Sequence, residues 1–84
     1  MISRKYNNKA NVTGNAIKHF RLEKKWSQAT LSNQLMMIGI DINSDGIYKI
    51  EKGVRIVKDF ELSAIAKVLG VDESDLLKDF KDNL

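Results

Sequence analysis

The chain contains no cysteine and no proline, and it carries one histidine and one tryptophan. Without cysteine, neither a disulfide framework nor a thiolate metal site can form. Long apolar runs are missing as well. No stretch approaches the roughly 20 apolar residues of a membrane span, and the opening MISRKYNNK has no apolar core of a leader. Catalytic groups are equally scarce: there is no phosphate-binding glycine loop and no serine with a matching base, and His19 stands without a second ligand nearby. These absences lead us to expect a cytoplasmic, non-enzymatic protein with no cofactor, no membrane partner and no small-molecule ligand.

What is present is charge, unevenly divided. The net charge of +3 conceals a basic first part: residues 1 to 58 hold eleven Lys/Arg against four Asp/Glu, and residues 59 to 84 hold three against seven. A basic first part suits a polyanion, and an acidic tail keeps the other face away from it. Eighty-four residues are enough for one domain with a modest core.

Helix starts are written locally. Ser27 stands between Trp26 and Leu31, and Asn43 between Ile42 and Ile47, which is the arrangement of an N-cap inside a hydrophobic staple. The same pattern recurs at Val12/Thr13/Ile17 and Val71/Asp72/Leu76, with Asp75 in a box-like position. Val57 and Leu62 bracket Lys58, a poor cap. The pattern therefore predicts about five short helices, starting near 13, 27, 43, 58 and 72, and an all-α fold. Residues 1–12 read instead as a basic, flexible arm, with Arg4, Lys5 and Lys9 among Tyr6, Asn7, Asn8 and Asn11 and little apolar content to pack; such an arm could lie along phosphates, enter a minor groove or be an untethered terminus.

In the first helix Ala16, Ile17 and Phe20 form one stripe, which Arg21 continues four positions after Ile17. Burying an unpaired arginine costs several kcal/mol, so it needs an anion. Glu51, on the inward stripe with Ile47 and Ile50, is the expected partner. Lys18, Lys24 and Lys25 fall away from the stripe, free for phosphates. In the second helix Ala29, Leu31, Ser32 and Leu35 are expected to pack, Met36 and Met37 to fill the core edge, and Gly39 to end the helix. With Ile47 and Ile50 inward, Ser44, Asp45, Tyr48 and Lys49 occupy the outer face of the third helix. Lys52, Arg55 and Lys58 follow, placed for phosphates beside a groove. Leu22 and Phe80 either cover the core edge or leave a surface for a homodimer.

Asp41, Asn43, Asp45 and Gly46 imitate the opening of a calcium loop. That loop needs a bidentate glutamate at its twelfth position, and Lys52 stands there.

IKHFRLEKKWSQATLSNQL, then INSDGIYKIEKG, then LSAIAKVLGV followed by DLL, resembles the phage-repressor, Cro-like or XRE-type helix-turn-helix family across residues 12 to 77. The matches are Arg21 before Ser27-Gln28, the ending Ile47, Ile50, Glu51 and Gly53, and Ala66 with Leu69-Gly70-Val71. The resemblance implies a five-helix lambda-repressor-like domain over 13–84, with the third helix in the DNA major groove, an Arg21–Glu51 ion pair, and Gln28 on the phosphate backbone. The chain departs from the family pattern in a longer connection between helices two and three. It also departs in the Asn43-Ser44-Asp45-Gly46 start, which lacks the Arg, Gln or Thr often found there. Together these features point to duplex DNA as partner and to a transcriptional regulator, more a repressor than an activator. The alternative is a protein-interaction module on the same scaffold.

Overall fold

Each polar start marked in the sequence is followed, within a residue or two, by a helix. In the computed structural model, which describes residues 6–84, these are α1 (Gly14–Glu23), α2 (Gln28–Met37), α3 (Ser44–Glu51), α4 (Asp59–Leu69), α5 (Glu73–Leu76) and α6 (Lys78–Asp82). Arg4 and Lys5, counted above as part of the arm, lie outside the described residues. At α2 the Ser27 Oγ accepts from the Thr30 N–H at 3.0 Å, and at α3 the Asn43 Oδ1 accepts from the Gly46 N–H at 2.8 Å. Both are N-caps that satisfy an orphan donor of the first turn. Lys58 cannot accept, so Glu61 reaches back and takes the Lys58 N–H at 3.0 Å.

The start of α1 differs from expectation. Thr13 is buried and makes no side-chain cap bond. The cap comes from Asn11, whose Oδ1 accepts from the N–H groups of Thr13 (3.0 Å) and Gly14 (2.8 Å). Asn11 has the longer reach, and its Nδ2 simultaneously donates to the carbonyls of Ile50 (3.1 Å) and Arg55 (2.8 Å). One side chain thus ties the segment before α1 to the end of α3 and to the loop beyond it.

The core is built from Ile17, Leu31, Leu35, Ile42, Ile47, Ile50, Ala64, Ile65, Ala66, Leu69 and Leu76, all buried. Helix α3 packs against α1 and α2, while α4 closes the other side against α1, α2 and α5. Gly14 sits where α1 meets the end of α3: a Cβ there would collide with the Ile50 carbonyl oxygen and lie 2.9 Å from that of Glu51. In the connection before α3, the buried Ser32 hydroxyl donates to the Ile42 carbonyl at 2.6 Å.

Two packing expectations for α2 are corrected. Ala29 is exposed, and Met36 and Met37 are 51% and 78% exposed rather than core filler. The buried stripe runs through Leu31, Ser32 and Leu35, and at about 100° per residue Met36 and Met37 rotate off it just before the helix stops. The stop is a Schellman motif, with the Gly39 N–H on the Met36 carbonyl, the Ile40 N–H on the Leu35 carbonyl and Gly39 at φ +84°. Helix α1 ends in the same way, the N–H groups of Lys25 and Trp26 reaching the carbonyls of Leu22 and Arg21. There the left-handed position holds a lysine, at φ +59°. The helix expected from residue 72 is broken at Leu77 (φ −99°, ψ 0°), which sends Leu76 into the core and leaves Phe80 against the N-terminal segment.

Candidate nucleic-acid interface

Helix α3 divides cleanly. Ile47, Ile50 and Glu51 are buried, and Ser44, Asp45, Tyr48, Lys49 and Lys52 are exposed. The inward side is locked by the expected ion pair. Arg21 Nε donates to Glu51 Oε2 at 2.6 Å and Nη2 to Oε1 at 2.9 Å, with both side chains under one-tenth exposed. Arg21 Nη1 also donates to the Trp26 carbonyl at 2.6 Å, which fixes the turn between α1 and α2. The two-pronged geometry joins the first helix to the outward-facing one, so the exposed face of α3 is presented by a rigid frame.

Gln28, at the start of α2, belongs to the same network: its Nε2 donates to Glu51 Oε1 at 3.1 Å. A side-chain amide has two N–H donors, so one remains for an external acceptor. Beside it lies an open cleft of about 340 Å³ lined by Lys9, Asn15, Lys18, Gln28, Tyr48, Glu51 and Lys52. The structure therefore brings Lys18, Gln28, Tyr48 and Lys52 together. Lys52 further places its ammonium over the Tyr48 ring, 5.7 Å from the centroid.

The other residues singled out in the sequence lie elsewhere or are already engaged. Lys24 and Lys25 follow α1; the Lys24 ammonium stands 5.1 Å over the Trp26 ring. Lys58, at the start of α4, stands 5.8 Å over Phe60. On the outer face of α3 itself, Lys49 Nζ meets Asp45 Oδ2 at 3.1 Å, an i,i+4 pair that offsets part of the positive charge. Arg55 is committed within the protein. Its Nη1 and Nη2 donate to the two oxygens of Glu61 at 3.0 and 3.1 Å, and Nη1 also donates to the Ile56 carbonyl. Burial pushes the Glu61 carboxyl up, but the Arg55 and Lys58 hydrogen bonds and the charges beside it outweigh this and leave it below its ordinary range.

Sequence reasoning missed Asn11 as a cap and Glu61 altogether, and it placed Lys9 only within an arm that could lie along phosphates or stay untethered. Glu61 carried a visible signal, since an acid three residues after a poor cap can serve the box in reverse. Asn11 is one of several asparagines in the first fifteen residues, and nothing local separates it from Asn7, Asn8 or Asn15.

Among the described residues no helix is long and apolar enough to cross a membrane. A helix-turn-helix family model matches residues 17–76, which includes α1 from Ile17 and runs through α5. No curated protein and no solved structure matches the chain. With that match over most of its length, an all-helical fold and the second and third helices packed through a capped turn, the chain belongs to the XRE or lambda-repressor-like helix-turn-helix family of DNA-binding regulators.

Proposed function

We propose that this protein is a sequence-specific duplex-DNA-binding transcriptional regulator that represses by occupying its site, with α3 in the major groove. The observation that carries this reading is the continuity between the outward side chains of α3 and the lysine-lined cleft through Tyr48 and Lys52, which belong to both. In this arrangement Ser44, Asp45, Tyr48 and Lys49 meet base edges, while Gln28, Lys18, Lys24, Lys25, Lys52 and Lys58 hold the flanking phosphates. Arg55 contributes by holding the loop after α3 to α4, because its guanidinium is already forked onto Glu61. The protein works in the cytoplasm. A homodimer is the natural unit for reading paired half-sites; Leu22, 53% exposed, is available for it, whereas Phe80 is engaged edge-on by Tyr6.

The Asp45–Lys49 pair supports a second reading, a protein-interaction module whose third helix reads no bases, since it reduces the positive charge of that face. Titration of random and selected duplexes over a range of salt separates the two. A DNA regulator should bind random duplex at low salt with a log–log slope of about −0.9 per phosphate neutralised, and bind a selected site more tightly. Absence of binding at low salt, or binding indifferent to salt, would overturn the first reading in favour of the second.

A further inference from the structure

The segment before α1 was expected to behave as an arm, yet residues 6–11 have a defined geometry. Tyr6 and Lys9 exchange two backbone hydrogen bonds, both 2.9 Å, around Asn7 and Asn8, whose φ angles are +50° and +64°. Two consecutive left-handed residues make the type I′ turn, and asparagine is among the few residues that tolerate it. The turn is held at three places. The Ala10 N–H donates to the Gly53 carbonyl at 2.7 Å. Asn11 clamps Ile50 and Arg55. The Tyr6 ring packs edge-on against Phe80 of α6, with centroids 5.1 Å apart.

This scaffold delivers one charge. The stem of Lys9 lies along Gly53, its Cβ, Cγ and Cδ between 3.0 and 3.4 Å from where a Gly53 Cβ would stand, so any larger residue there would displace it. From that position Lys9 lines the cleft with Lys18 of α1 and Lys52 at the end of α3. Three cations from three separate elements therefore converge on one opening. The only carboxylate in the cleft lining, Glu51, is already bound by Arg21 and Gln28. Such a convergence raises the local potential and favours an anion that brings its own charge. Because Tyr48 and Lys52 continue the cleft onto the outward face of α3, an anion there would lie on the path of a duplex backbone.

We propose that the turn at residues 6–9 is a preformed part of the DNA interface, in which Lys9 neutralises one backbone phosphodiester and Lys18 and Lys52 neutralise its neighbours, while Tyr6 and Phe80 act as positioning residues. This rests on the reading of the chain as a DNA binder, and its test keeps the two apart. Fluorescence anisotropy of a labelled random duplex is measured against salt for the full chain and for Lys9→Gln, Lys9→Arg, Tyr6→Ala, Tyr6→Phe and Lys67→Gln, with the melting temperature of each recorded. Lys9→Gln should make the log–log salt slope shallower by about 0.9 without lowering the melting temperature, and Lys9→Arg should restore it. Tyr6→Ala should weaken binding although Lys9 is intact, Tyr6→Phe should not, and Lys67→Gln, on α4, should leave the slope unchanged. If the parent chain binds with a steep slope that Lys9→Gln retains, the Lys9 assignment fails and the DNA reading stands. If the parent chain does not bind at low salt, the DNA reading fails and takes this inference with it. Inorganic phosphate at constant ionic strength should leave the complex intact; displacement of the duplex by phosphate would assign the cleft to a free anion and overturn the proposal.

Discussion

Replacing Glu51 by glutamine changes almost nothing in shape and removes one charge from the most enclosed ionic contact between α1 and α3. Arg21 and Glu51 keep only 7% and 4% of their side-chain surface exposed, so the guanidinium left behind cannot recover water. It would face an amide that accepts at one position only: with the amide oxygen in place of Oε1, Nη2 and Gln28 keep their acceptor, but Arg21 Nε then meets an amide nitrogen that can only donate. Breaking one side of a buried pair costs about 3 to 5 kcal/mol. A domain of 84 residues, at roughly 0.05 to 0.15 kcal/mol per residue, has about 4 to 13 kcal/mol in all. Glu51→Gln should therefore remove about a fifth of the stability or more. In urea, with m about 1 kcal/mol/M for so small a domain, a 3 kcal/mol loss moves the midpoint down by about 3 M. Arg21→Met alone should cost a similar amount. The double variant Arg21→Met, Glu51→Leu should cost less than the sum by about 2 kcal/mol, since neither charge is then stranded. Small, additive losses below about 0.5 kcal/mol each would refute the reasoning, because only a solvated pair behaves that way.

Gly14→Ala places a methyl group against the backbone oxygens of Ile50 and Glu51; backbone cannot rotate away like a side chain, so a loss of about 1 to 3 kcal/mol is expected, and an unchanged melting temperature would show that the helices do not approach so closely. The Arg55–Glu61 contact carries a pH signature. Because the Glu61 carboxyl titrates below its ordinary value of 4.5 in the folded state, its contribution is complete above about pH 4.5 and is lost as pH falls through the lowered value. Arg55→Ala should accordingly cost about 1 to 2 kcal/mol at pH 7 and progressively less as pH falls below 4.5, and a cost that does not change with pH would contradict the pairing. Asp45→Ala frees Lys49 and removes a repulsive charge, so binding to random duplex should tighten. If Asp45 also accepts from a cytosine, the same change should weaken the selected site and relax one base pair by about 1 to 3 kcal/mol, whereas equal tightening on both duplexes would leave it only a helix-start role. Met37→Glu, at a position 78% exposed, should change stability by no more than about 0.5 kcal/mol, and a larger loss would place Met37 in a contact.

The sequence alone determined the starts of α1 to α5 and the division of α3 into two faces. Both are properties of short windows: a cap with its staple spans a handful of residues, and a helical stripe repeats every three or four. It also determined the Arg21–Glu51 pair, 30 residues apart, because an arginine on a buried stripe admits few partners and only one acid lay on the facing stripe. Tertiary structure decided which polar groups close the remaining valences. Asn11 rather than Thr13 caps α1 because two carbonyls, 39 and 44 residues away, arrive within reach of the same side chain. Arg55 turns to Glu61 instead of outward because the loop after α3 folds back on the first turn of α4, and Met36 and Met37 fall outside the core because α2 ends where its stripe runs out. Lys9 reaches the cleft only because Gly53 leaves room for its stem and Phe80, far along the chain, offers a ring to Tyr6. None of these has a local signature, since each depends on distant backbone meeting at one point, and spacing along the chain does not encode that distance.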